Sequence, residues 1–174
     1  MGRTVSPTAD LARYAAERAA PAEPTVVVAG CGRADTVAAL LEHGIDAYGF
    51  DIEVEALDAA AVPRDRLLEC DLREPDLVET LRTQFAIDHV DVCYTEQVLS
   101  LLSPDDAERV IERLRAADAI GQCVHRIAAV PPVGAQTGEF EATVRSVGEW
   151  QAACDPDGED VWLSTGDQLP TASA

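Results

Sequence analysis

The chain has 174 residues, 32 acidic against 13 basic, and a formal net charge of −19. Every basic residue is arginine. Such a surface repels phosphate backbones and argues against nucleic acid as a direct partner; a hydrophobic content of 47% argues against general disorder. No apolar run is long enough to cross a membrane. The length fits one domain over residues 1–174. Met1 to Thr4 lead into a polar helix rather than an apolar signal segment, so a cytoplasmic protein is expected.

The first predicted element is a helix over residues 6–20. Ser6 suits its cap and Pro7 its first turn. Leu11, Tyr14, Ala15 and Arg18 share one weakly apolar face, which should lean on a sheet or cover a ligand mouth. Pro21 to Pro24 form a stiff linker. Thr25 to Ala29 is a β-branched run that reads as a buried parallel strand. Gly30-Cys31-Gly32 follows at once, and a helical pattern starts at Asp35 and closes at His43-Gly44. Ile45 to Phe50 is the second strand, with Asp51 at its end.

Further on, a short helix is expected over Glu53–Ala61 and a third strand over Arg66–Cys70, followed by Asp71-Leu72. Glu74-Pro75 should open a helix carrying Leu77, Val78, Leu81 and Phe85 on one side. His89 to Tyr94 is a fourth strand, and Glu96 to Leu99 a loop or short helix. Ser103-Pro104 starts the clearest helix, with Ala107, Val110, Ile111 and Leu114 at i, i+3, i+4, i+7. Ile120 to Ile127 is a fifth strand. A C-terminal extension over 128–174 offers a turn at Pro131–Gly134, a short helix over Ser146–Ala153 and a closing strand at Val161–Ser164. A loose tail from Leu169 follows, and Trp150 and Trp162 are expected in the core. Strands alternating with helices predict an α/β fold: a Rossmann-like, mostly parallel sheet with helices on both faces and a shortened C-terminal part. Its core should span about residues 25–127.

The glycine turn gains weight from its context. Strand, glycines and helix N-terminus form a nucleotide-binding opening, and a carboxylate about 20 residues on can accept from two ribose hydroxyls. A dinucleotide fingerprint would need its third glycine at position 35. Asp35 stands there, and its charge competes with a pyrophosphate. The five cysteines are scattered, with no Cys-x-x-Cys pair, so no disulfide framework is expected. Cysteines near strand ends could join His125 in a thiolate metal site, but buried cysteine as a small hydrophobe is commoner, and no metal is assigned.

Val26 to Gly32, then Tyr48-Gly49-Phe50-Asp51, resembles class I S-adenosylmethionine-dependent methyltransferases. The resemblance covers about residues 25–127 and implies S-adenosylmethionine as cofactor and an unknown, small-molecule methyl acceptor. It places Gly30, Cys31 and Gly32 at the cofactor's amino-acid end, Asp51 and Ile52 at the ribose, Asp71 and Leu72 near the adenine, and Gln97 near the methyl group. Cys70-Asp71-Leu72 also admits a helix-capping aspartate. Val90 to Leu99 resembles the fourth-strand motif, where Tyr94 and Glu96 are within reach of a substrate. His125 is a possible base or a satisfied strand histidine; His43 reads as a surface residue at a helix end.

Two departures stand out. Ala34 replaces the family's third glycine and should keep a negative φ. Gln97-Val98-Leu99-Ser100-Leu101 stands where the family often shows Glu-Val-Leu-Glu-His, so no catalytic residue is assigned. The alternative is therefore a non-catalytic S-adenosylmethionine-binding or interaction module with a degenerate acceptor site. The acidic, lysine-free composition resembles proteins of a high-salt cytoplasm, where salt screens surface repulsion. Oligomeric state is not legible.

Overall fold

A computed structural model of the chain describes residues 7–127, 147–154, 160–164 and Leu169. Helix α1 (Pro7–Ala19) leads into β1 (Thr25–Ala29), α2 (Asp35–Glu42), β2 (Asp46–Asp51) and α3 (Val54–Asp58). Then come β3 (Leu67–Glu69), α4 (Leu77–Phe85), β4 (Val90–Glu96), α5 (Pro104–Ala116) and β5 (Ile120–Ile127), followed by α6 (Val147–Cys154) and β6 (Val161–Ser164). Single turns of 3₁₀ helix sit at Arg64–Arg66 and Leu99–Leu101.

The six strands form one sheet in the order β3-β2-β1-β4-β5-β6, and every pairing is parallel. The expected closing strand is β6, and it joins the sheet alongside β5. The order reverses between β1 and β4, the place where open α/β sheets bind ligands.

Alternation along β1 divides the core. Val26 and Val28 face one side with Leu11, Tyr14, Val37 and Leu40. Val27 and Ala29 face the other with Leu77, Leu81, Ile111, Leu114 and Trp150. Burying each such aliphatic side chain contributes about 1.5–3 kcal/mol. Helix α5 buries the four residues its periodicity singles out. Ser103 caps it, its Oγ accepting from Asp106 N at 3.2 Å. Helix α1 leans on the sheet through Leu11, Ala12, Tyr14 and Ala15, and the Tyr14 hydroxyl donates to Gln122 Oε1 on β5.

Some boundaries differ from expectation. Helix α3 is shorter than Glu53–Ala61, and β4 runs to Glu96 rather than Tyr94. Glu74-Pro75 does not open α4; the helix begins at Leu77 after Asp76. Glu74 lies instead in a turn, its N–H donating to Asp71 O at 3.0 Å. Leu169 is not loose: it is buried, and its N–H donates to Asp10 Oδ2 at 2.5 Å. The Ser6 cap, the Pro131–Gly134 turn, the Trp162 side chain and the tail past Leu169 lie outside the described residues.

Candidate functional site

The site is built where β1 and β4 part. Gly30 takes φ +66°, and a Cβ there would stand 2.6 Å from Val98 Cγ2. The segment after β4 therefore approaches the turn after β1 as closely as a bare backbone allows. Gly32 also has positive φ, +54°, with open space around it. Ala34 does not keep the expected negative φ. It adopts the left-handed conformation at φ 60°, ψ 28°, because the turn closes with Ala34 N donating to Cys31 O at 2.8 Å while Ala34 O accepts from Ala38 N to open α2. An alanine there costs about 1–2 kcal/mol.

Asp51 ties this turn to β2. Its Oδ2 accepts from Gly32 N at 2.8 Å and its Oδ1 from Glu53 N at 2.9 Å. A carboxylate has roughly four acceptor positions, so two backbone donors fix it without exhausting it. Asp51 opens onto a cleft of about 370 Å³. Gly30, Ile52, Asp71, Leu72 and Gln97, all singled out in the sequence, line the same cleft. Cys31 and Gly32 are not on its wall. Gly32 gives its N–H to Asp51. The Cys31 side chain turns inward against Gly49, and burial, with the Asp51 charge second, pushes its thiol up to about 12.

Asp71 is no helix cap. Its carboxylate takes the Arg73 guanidinium, at 2.6 Å from Nη2 to Oδ2, and the Arg73 N–H at 2.8 Å. The Arg73 side-chain bonds hold it below the usual carboxylate range. Gln97 is strained, at φ 57°. Its N–H donates to Arg126 O at 2.7 Å and its carbonyl accepts from Ser100 Oγ at 3.0 Å. Glu96 lines the cleft as well, and its Oε2 accepts from Thr36 Oγ1 at 3.2 Å.

The structure adds residues the motifs do not mark. Glu53 and Arg73 bring charge to the cleft; Val98, Leu101 and Leu102 bring apolar surface. The exposed side chains of Ile52 (46%) and Leu101 (40%) lie on its walls. Ile52 is singled out in the sequence beside Asp51, whereas Leu101 stands there only in the segment that departs from the family motif. Other candidates move away. Tyr94 is inside β4 and buried, its oxygen accepting from Arg126 Nε at 3.0 Å. His125 is buried beside Thr95 Oγ1 at 2.8 Å, and burial brings its imidazole down to about 4. A neutral, enclosed imidazole of that basicity does not serve the cleft as a base. His43 sits at the end of α2 with Nδ1 2.7 Å from Ala39 O, a surface position as expected.

A glycine turn, a strand-end carboxylate and a cleft at the reversal of strand order define a nucleoside-binding α/β domain. The methyltransferase-domain family matches residues 27–118, more than half of the chain, and the chain belongs to it. That membership makes S-adenosylmethionine its cofactor. Mitomycin 7-O-methyltransferase MmcR is similar over 84% of this chain and 45% of its own, at 20% identity and a TM-score of 0.54, which shows the fold. A SAM-dependent methyltransferase from Archaeoglobus fulgidus matches at 19% identity over 61% of this chain and 44% of its own, with a TM-score of 0.46. The glycopeptide N-methyltransferase MtfA, solved with S-adenosylhomocysteine, matches at 18% over 66% and 49%, with a TM-score of 0.46. The chain spans less than half the length of each of these structures. No curated protein matches the sequence.

Proposed function

We propose that the cleft holds S-adenosylmethionine and that the chain transfers its methyl group to a small-molecule acceptor. One observation carries this reading: the Asp51 carboxylate, held by two backbone N–H groups, faces the cleft at the point where β1 and β4 diverge. The donor set fits the cofactor's charge. Asp51, Glu53, Asp71 and Glu96 share the wall with Arg73, its one basic side chain among the described residues, which suits a sulfonium and an ammonium and opposes a pyrophosphate. When bound, the cofactor supplies an electrophilic methyl group.

Asp51 accepts from the ribose hydroxyls, and Ile52 and Leu72 flank the base. Asp71 reaches the adenine amino group while shared with Arg73. Gly30 and Gln97 bring backbone to the amino-acid and methyl end. Cys31 and Gly32 act one step back, by shaping the turn. Holding acceptor and methyl group in line is enough for such a transfer when the acceptor is itself nucleophilic. A cytoplasmic setting of high ionic strength belongs to the same proposal and rests on the acidic, lysine-free composition.

A second reading has an observation of its own. Ser100 is buried and donates to Gln97 O, while Leu101 and Leu102 line the cleft, so the segment after β4 offers apolar surface where a base would serve an acceptor. A binding module without catalysis would look the same. Calorimetric titration with S-adenosylhomocysteine tests the cofactor site; absence of binding in molar salt would remove both readings. Label transfer from methyl-labelled cofactor into small-molecule extracts then separates them: incorporation supports the enzyme, and binding without incorporation supports the module.

A further inference from the structure

Away from the cleft, β5 and the entry to β6 assemble a second group of chemically versatile side chains. Cys123 and His125 are two residues apart on β5 and so share a face of the sheet. Asp160, just before β6, crosses to them: its Oδ1 accepts from Cys123 N at 2.9 Å. One ligand atom from each of Cys123, His125 and Asp160 lies within 4.8 Å of the other two, and all three residues are buried. None of them lines the cleft. The sequence offers no metal-ligand spacing here because Asp160 reaches the pair only through the pairing of β5 with β6.

His125 supplies the second, independent observation. Its Nδ1 lies 2.8 Å from Thr95 Oγ1, whereas its Nε2 is buried with no hydrogen-bond partner among the described residues. A buried polar nitrogen left unsatisfied carries its desolvation cost with nothing to offset it, and such an atom calls for an explanation. An ion on Nε2 would satisfy it, with Thr95 orienting the ring from behind, as outer partners do for metal-bound histidines.

We propose that Cys123, His125 and Asp160 bind a zinc ion that ties β6 to β5. One thiolate, one imidazole and one carboxylate are ligands zinc accepts together, at about 2.0–2.3 Å. Tetrahedral bonding of that length asks for ligand atoms roughly 3.3–3.7 Å apart, within reach of small rotamer adjustments from the present spacing. Thiolate and carboxylate together balance the ion's charge inside the core. A fourth ligand has two sources close by: Cys93, the register partner of Cys123 on β4, and Cys154 at the end of α6, both buried in the same core cluster. A fully enclosed set of this kind describes a structural rather than a catalytic ion.

The test uses the full chain, purified without a metal-affinity tag from zinc-supplemented cells. Elemental analysis should find about one zinc per chain. Stripping with a strong chelator should lower Tm, and zinc should restore it. Cobalt substitution should give a thiolate-to-metal charge-transfer band, and Cys123→Ser should abolish it. Because Cys123→Ser could fail to fold, the wild-type chelation and cobalt experiments stand alone. Metal-free protein whose Tm ignores both chelator and zinc would overturn the proposal, as would a cobalt band that persists in folded Cys123→Ser. Titration with S-adenosylhomocysteine reads the cleft separately, so failure of one site leaves the other assessable.

Discussion

The two walls of the cleft are made in opposite ways. On the β1–β2 side the polar contacts are backbone-built: Asp51 draws in the N–H groups of Gly32 and Glu53, and Cys31 N donates to Phe50 O at 3.0 Å. On the β4 side, past Glu96 and Gln97, Val98, Leu101 and Leu102 present apolar surface, and the polar Ser100 turns back to its own chain. The first wall is preorganised to hold a ligand rich in hydroxyls and positive charge. The second can shape the ligand and exclude water, and its one carboxylate among the described residues, Glu96, already accepts from Thr36. Binding and orientation are thus what this cleft is chiefly equipped to do, with Glu96 the one carboxylate on its β4 side among the described residues.

The sharpest way to break the contrast is at Gly30, where the walls meet. Gly30→Val places a branched side chain at φ +66° and into Val98. Backbone strain of about 1–3 kcal/mol adds to overpacking of about 1–3 kcal/mol. We expect stability to fall by about 2–6 kcal/mol and S-adenosylhomocysteine binding to vanish, read by circular dichroism melts and calorimetry. A variant that melts and binds like the parent would show that the walls do not touch there.

Asp51→Ala should come next. It removes charge-assisted acceptors worth about 1.5–3 kcal/mol each, so cofactor affinity should drop at least about tenfold. Its two backbone donors also lose their partner, so Tm should fall as well, which a carboxylate merely lining a cleft would not cause. Calorimetry and melts on one sample check both effects. Unchanged affinity would remove Asp51 from the ribose.

Salt acts on the whole chain and reads the acidic surface. The Debye length shrinks from about 30 Å at 0.01 M to about 3 Å at 1 M, so self-repulsion from a net charge of −19 should fade. Tm should climb steadily with KCl over that range. A flat profile would end the high-salt reading of the composition.

The first wall is legible in the sequence and the second is not. Gly30, Gly32 and Asp51 announce themselves because a positive φ and a strand-end carboxylate restrict residue type. Apolar walls restrict it weakly, so Leu101 and Leu102 look like any leucines. The left-handed backbone of Ala34 escapes sequence reasoning, since that conformation favours glycine and a buried exception leaves no local signal. Tyr94 reads as a strand end, yet the strand continues two residues further, to Glu96. Asp160 is invisible, because its partners come from a strand pairing that no local pattern encodes.

The smallest expected effect concerns two alanines with the same strain. Ala34 at φ 60° and Ala86 at φ 54° are both left-handed. Ala86 is exposed and ends α4, where Ile87 N donates to Arg82 O at 3.1 Å in the manner of a glycine-type cap. Replacing it by glycine relieves about 1–2 kcal/mol of strain and gives back about 0.5–1 kcal/mol in unfolded-chain entropy. Ala86→Gly should therefore raise stability by about 0.5 kcal/mol. Ala34 is fully buried against the core, so its methyl adds about 0.8 kcal/mol of burial to the loss. Ala34→Gly should come out near zero or slightly destabilising. Chemical denaturation of both variants beside the parent decides the matter. If Ala34→Gly gains more than Ala86→Gly, the wall at the β1 turn carries strain that its packing does not offset.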